Sequence, residues 1–223
     1  MFVDVWPIPL CPGHITAAEA EAILSVEERR RAARFYFPEH GARFRICHAA
    51  MRRILASYLN VMPSQVELVS ESKGKPRLAG NSPICFNLSH SGDQALLAVS
   101  AGFPVGIDVE AVRLDLPVEG LARFFTDSER EKLMTAAEGD PRARLFFRWW
   151  TRKEAVLKAD GSGLSGGLNR LDISNCPPDL VRFPAEEEHW WRVEDLEAPD
   201  GYAAALAAPP GSSEIRWRQQ TEL

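Results

Sequence analysis

The sequence predicts an α+β fold with two similar layers. Segments of helical period and short apolar runs bounded by turn residues fall into separate blocks. The order of helices followed by strands occurs twice, unlike the alternation of a βαβ array. The chain has 223 residues, 45% of them hydrophobic and 26% charged, which is enough to bury a substantial core as one large domain or two small ones.

The elements follow in order. MFVDVWPIPL lacks a basic leader and is broken by Asp4, Pro7 and Pro9, so neither a signal peptide nor a membrane span is expected, and the protein is expected in the cytoplasm. Ser25 and Glu28 make a capping box at the head of SVEERRRAARFYF, a helix that Pro38 is expected to end. A second helix is expected over residues 41 to 59, with Phe44, Cys47, Met51, Ile54, Leu55 and Tyr58 as its core stripe. QVELVS (65 to 70), ICFNLS (84 to 89), QALLAVS (94 to 100) and VGIDVE (105 to 110) read as strands of one small antiparallel sheet. Thr126 and Glu129 form another capping box, and Asp140 with Pro141 starts a long helix closed by Gly161. Strand-like runs return at LDIS (171 to 174), HWWRVED (189 to 195), YAAALAA (202 to 208) and EIRWR (214 to 218). GFPVG (102 to 106) is the expected joint between domains 1–103 and 104–223.

Lys+Arg number 26 against 31 Asp+Glu, a net charge of −5, which gives no global field for a nucleic acid backbone. The four cysteines, Cys11, Cys47, Cys85 and Cys176, form no CxxC pair. They read as free thiols and suit neither a zinc site nor a disulfide framework.

In GIDVE (106 to 110), strand alternation turns Val105, Ile107 and Val109 one way and both acids, Asp108 and Glu110, the other. That pattern fits a half-exposed strand with a solvated acidic side, or a pair of carboxylates around a cation. Glu154 and Lys158 lie on one helix face, as an ordinary i to i+4 ion pair would. Their segment, however, is rich in Phe146, Phe147, Trp149, Trp150, Val156 and Leu157, so charges there need a reason. A third acid beside Asp108 and Glu110 makes an all-oxygen site suited to Mg²⁺, and Lys158 adds charge for phosphate. FNLSHSG (86 to 92) offers Ser89, His90 and turn amides; KGKPRL (73 to 78) and the run Arg29, Arg30, Arg31, Arg34 offer positive charge. Taken singly, these are a hairpin turn, a solvated basic turn and the wet face of a helix.

Together with ARFFTDSE (122 to 129) and WTRKEAVLKADGSGL (150 to 164), these motifs stand in an order that resembles the 4′-phosphopantetheinyl transferases of the Sfp type, over about residues 25 to 165. The last segment follows that family's W-x-x-K-E-A-x-x-K-x-x-G-x-G-L pattern. The resemblance implies a pseudo-dimeric α+β fold with the active site in the cleft between two similar halves. It implies Asp108, Glu110 and Glu154 as Mg²⁺ ligands, Glu154 and Lys158 as catalytic residues, and Lys158, Lys75, Ser89 and His90 as contacts to coenzyme A. Some members of the family carry lysines on the amino-terminal helix for the 3′-phosphate; here Arg31 and Arg43 are the expected substitutes. The implied partner is an apo acyl or peptidyl carrier protein, met by residues 111 to 121, and a monomer without nucleic acid or membrane partners is expected. Lys153 points elsewhere, to substrate or to an acid.

Two other classes compete. A Mg²⁺ nuclease also uses paired acids and a lysine, but its usual acid-x-lysine strand pattern is missing, since Ala111 and Val112 follow Glu110. A noncatalytic binding module would have no chemical use for three acids and Lys158 together.

Overall fold

Two long helices each cover the outer face of a four-stranded sheet, and the two sheets pack back to back. This computed structural model describes residues 2–11, 13, 15–163, 167–174, 180–183, 189–211 and 214–219; Leu164 and Cys176 lie outside them. The first part of the chain forms β1 (Val3–Pro9), α1 (Ala17–Ile23), α2 (Val26–Ala32), α3 (Pro38–Leu59), β2 (Leu68–Ser70), β3 (Pro76–Leu78), β4 (Ile84–Ser91) and β5 (Gln94–Ala101). After it come β6 (Gly106–Ala111), α4 (Val118–Leu121), α5 (Asp127–Thr135), α6 (Asp140–Asp160), β7 (Leu180–Phe183), β8 (His189–Asp195), β9 (Tyr202–Ala208) and β10 (Ile215–Trp217).

The first sheet has the order β10-β1-β5-β4 and the second β6-β9-β8-β7, while β2 and β3 form a separate hairpin. The α3 stripe of Cys47, Met51, Ile54 and Leu55 packs on Trp6, Ile8, Phe86 and Leu97. Val3, Val5, Leu96 and Ala98 meet Val105, Ile107, Val109, Ala204 and Leu206 between the sheets. Phe146, Phe147, Val156 and Leu157 of α6 pack on Trp191, Val193, Ala205 and Ala207. Hydrophobic burial of this kind is the main stabilising term.

Several expectations change. The four early strand runs divide among three sheets, because β6 pairs with β9 and not with its predecessors. Ser25 does cap α2, with Glu28 completing the box, but α2 stops at Ala32. Pro38 begins α3 and does not end α2, since a proline in the first turn gives up an N–H that has no helical partner there. Ser89 and His90 lie within β4, and the turn comes later, at Gly92 and Asp93.

β1 is the strand that Pro7 and Pro9 disguised. Val3 donates its N–H outward to Glu214 O at 3.2 Å, and Pro7 and Pro9 share its parity. Their missing N–H groups therefore fall on the side away from β5, where no strand needs them. β10, from the far end of the chain, runs parallel to β1 and joins the first sheet.

α6 starts and stops as expected, with Pro141 in its first turn and Gly161 at its end in the left-handed conformation, φ 76°. Its Lys153 is fully buried against the equally buried Glu129, at 2.6 Å. Lys153 also donates to Leu168 O at 2.8 Å and Leu171 O at 2.5 Å. Glu129 closes the α5 capping box and accepts the Ile173 N–H at 2.8 Å. LDIS is therefore no strand: an ion pair from two helices claims its backbone groups. Replacing Lys153 by Met should lower stability by about 3–5 kcal/mol, because the Glu129 charge is left buried and unpaired. Denaturant midpoints check this, and a Lys153→Met/Glu129→Gln double variant should lose less than the sum of the single changes.

Candidate active site

The site is built where β6 passes under α6. Val105, Ile107 and Val109 are buried between the sheets, so Gly106, Asp108 and Glu110 face the helix. At Gly106 the helix comes so close that an added Cβ would collide with Ala155 O and Ala159 N. One step along the strand, Asp108 Oδ1 accepts from Lys158 Nζ at 2.6 Å. The tight glycine contact thus brings the polar ends of both elements together.

β4 supplies the third wall through its side chains. Asn87 Oδ1 accepts the Ile107 N–H at 2.8 Å, Ser89 Oγ the Val109 N–H at 3.4 Å and Ser91 Oγ the Ala111 N–H at 3.1 Å. The same hydroxyls donate to the acids, Ser89 to Asp108 Oδ1 at 2.7 Å and Ser91 to Glu110 Oε2 at 2.7 Å. Lys158 Nζ also donates to Ser89 Oγ at 2.9 Å.

A cavity of about 360 Å³ results, lined by Leu88, Ser89, His90, Asp108, Glu110, Trp150, Glu154 and Lys158. Burial, followed by the charge of Asp108, pushes the Glu154 carboxyl up to about 7, against the pull of Lys158. Burial also raises Glu110, an effect that the Ser91 hydroxyl opposes and Asp108 reinforces. Asp108 Oδ2 and Glu154 Oε1 are buried without a hydrogen-bond partner. Buried carboxylate oxygens without partners are costly unless a cation meets them. An all-oxygen donor set fits a hard ion such as Mg²⁺. Among the described residues, no group of three or more His, Cys, Asp or Glu is already gathered closely enough to hold a metal ion, so the acids fit the ion as a cavity lining and not as a preformed chelate.

A second cavity, of about 620 Å³, opens beside α2 and α3 and includes Glu28, Arg31, Phe44, His48 and Arg52. His48 stacks on Phe44 with ring centroids 3.9 Å apart, and the Arg31 guanidinium lies 5.2 Å from the same ring's centroid. Glu28 holds His48 at 3.0 Å and Arg52 at 2.7 Å. Although burial opposes it, hydrogen bonds from His48, the Ser25 N–H and Arg52 keep the Glu28 carboxyl down at about 2. His90 lines the first cavity, and burial lowers its pKa, as do the charges of His48, Lys158 and Arg31.

Of the residues expected from the sequence, Asp108, Glu110, Glu154, Lys158, Ser89 and His90 share one cavity, and Arg31 lines the other. Arg43 is instead paired with Asp93 of the β4–β5 turn at 2.6 Å. Lys75 turns its ammonium to backbone carbonyls at the end of α6. Asn87, Ser91 and His48 were not singled out from the sequence. The alternation Asn87-x-Ser89-x-Ser91, polar on one face of an otherwise apolar strand, was the available signal. Cys11, Cys47 and Cys85 are free, and burial pushes the Cys47 thiol up to about 12. No helix among the described residues is long and apolar enough to cross a membrane.

A family model described as the 4′-phosphopantetheinyl transferase superfamily matches residues 104–207, and one for the amino-terminal part of a 4′-phosphopantetheinyl transferase matches residues 12–102. The chain is 39% identical to the 4′-phosphopantetheinyl transferase HetI of Nostoc sp. over 92% of its own length and 86% of the relative's. It is 30% identical to the human L-aminoadipate-semialdehyde dehydrogenase-phosphopantetheinyl transferase, over 87% of this chain and 72% of that one. Among solved structures, the holo-[acyl-carrier-protein] synthase of Thermotoga maritima overlaps 47% of this chain and 61% of its own, at 23% identity and a TM-score of 0.32.

The electrostatics predict a pH dependence. Glu154 titrates near 7 in the fold against a usual value of 4.5, so its protonated form stabilises the fold. That contribution is complete below pH 4.5 and is lost as the pH rises through 7. In EDTA, urea midpoints should therefore fall across this window, Glu154→Gln should remove this part of the slope, and Mg²⁺ should restore stability at the upper end.

Proposed function

The chain belongs to the 4′-phosphopantetheinyl transferase superfamily, and on that premise we propose that the cavity of Asp108, Glu110, Glu154 and Lys158 is the place of transfer. The group moved is the 4′-phosphopantetheine of coenzyme A, the acceptor is a serine of an apo acyl or peptidyl carrier protein, and 3′,5′-ADP leaves. The observation that carries this reading is the pair of buried carboxylate oxygens without partners, Asp108 Oδ2 and Glu154 Oε1, in a cavity that also holds a lysine.

Asp108, Glu110 and Glu154 would hold Mg²⁺, which when bound supplies positive charge against the pyrophosphate. Lys158, already hydrogen-bonded to Asp108 and Ser89, would meet phosphate oxygens as negative charge grows on the leaving group. Glu154, in the same cavity, is the candidate base for the serine proton. The serine oxygen bonds to phosphorus, the bond from phosphorus to the 3′,5′-ADP oxygen breaks, and the serine proton passes to Glu154. Arg31 and His48 of the second cavity, with His90 of the first, suit the nucleotide's 3′-phosphate. Arg43, held by Asp93, would have to exchange that partner to join them.

The family-model matches at 12–102 and 104–207 support a division at residues 103 and 104, with nucleotide contacts before it and the metal site and carrier-facing surface after it. The reading includes a cytoplasmic monomer, and the net charge of −5 suits its lack of a nucleic acid partner.

The test is the intact mass of an apo carrier protein after incubation with this protein and coenzyme A, in Mg²⁺ and in EDTA. A phosphopantetheine-sized gain only with metal is expected. Glu154→Gln and Asp108→Ala should each lower the rate by at least about 10²-fold with the fold intact. A gain undiminished by EDTA would remove the metal assignment, and full activity of Glu154→Gln would remove Glu154 from the mechanism.

A further inference from the structure

The basic turn between β2 and β3 carries Lys75, whose charge would be expected to serve the nucleotide. Its ammonium has other partners. Lys75 Nζ donates to Lys158 O at 2.5 Å, to Ala159 O at 3.3 Å and to Val105 O at 3.3 Å. A lysine ammonium has three protons and no acceptor, so three carbonyls exhaust it.

These carbonyls are not arbitrary ones. Lys158 O and Ala159 O belong to the last turn of α6, where no helical N–H follows to satisfy them. The cation also lies at the negative end of the helix dipole. Val105 O lies immediately before β6. Lys75 thus joins the end of α6 to the start of β6, the two elements that carry all three acids and Lys158. The residue whose carbonyl it holds at 2.5 Å is the one whose ammonium reaches Asp108 at 2.6 Å. Burial lowers the Lys75 pKa, opposed by Glu71 beside it, as befits a cation enclosed by protein.

We propose that Lys75 is a positioning residue: it clamps the β2–β3 hairpin to the backbone of Lys158 and sets where that side chain meets Asp108 and the phosphates, without touching the nucleotide. The proposal rests on the transferase reading given above.

The wild-type protein tests it by amine-reactive footprinting with mass spectrometry, with and without coenzyme A. Lys75 should stay unmodified in both states, while Lys158, which is partly exposed, should be labelled more readily than Lys75 and protected by coenzyme A. If Lys158 gains no protection, the transferase site itself is misplaced; if Lys75 is labelled and coenzyme A protects it, Lys75 touches the nucleotide and the proposal falls. Kinetics give an independent reading. Lys75→Met should lower kcat by about 10-fold or more while the KM for coenzyme A stays within about threefold. In a Lys158→Met background the same change should cost little more, since both act through one group. A tenfold or larger rise in KM with kcat unchanged, or fully additive losses, would overturn it. Should Lys75→Met fail to fold, the footprint of the wild type still decides.

Discussion

The edges of the two sheets meet at β4 and β6 without a backbone ladder, and what joins them is a row of side chains. Asn87, Ser89 and Ser91 each accept one alternate N–H of β6, so the β6 edge finds partners that a third strand would otherwise provide. Because the two serines then donate to Asp108 and Glu110, the same contacts that join the sheets also orient the acids. A substitution in β4 would therefore act on the seam between the sheets and on the site together.

Concentrating three carboxylates and one lysine in a cavity is unfavourable for folding on its own, and the structure offsets it nearby. The Gly106 contact with Ala155 and Ala159 fixes the spacing between strand and helix. Lys153 and Glu129 anchor the far side of α6 with a fully buried pair whose remaining hydrogen bonds are made by backbone groups. The helix has little freedom to roll away from β6 and relieve the repulsion among its acids. Burial first, and then the charge of Asp108, raises the Glu154 and Glu110 carboxyls, an effect that a bound cation would oppose.

The second cavity follows the same economy. Glu28 is first a capping residue of α2, and its carboxylate also fixes His48 and Arg52 of α3. A helix-start device thereby fixes two α3 side chains that line the cavity, and the Phe44 ring, against which Arg31 and His48 both lie, adds an apolar surface. The carboxylate stays charged at any ordinary pH, so the arrangement does not depend on titration of Glu28.

Local chemistry was legible in the sequence. The capping boxes at Ser25 and Thr126, the start of α6 at Asp140 and Pro141 and its end at Gly161, the strands at HWWRVED and YAAALAA, and the alternation that sets Asp108 and Glu110 on one face all depend on residues within a few positions of one another. The motif order likewise named the acids and the lysine of the cavity. The tertiary structure alone decided which sheet each strand joined, that β10 runs beside β1, that Ser91 and Asn87 serve β6, and that Lys75 and Lys153 spend their charges on backbone carbonyls and Glu129. The physical reason is range. Caps and strand alternation are settled by neighbours in the chain, whereas an unpaired strand edge or a helix end is satisfied by whatever group the packed fold brings to it, and that group's sequence position carries no local mark.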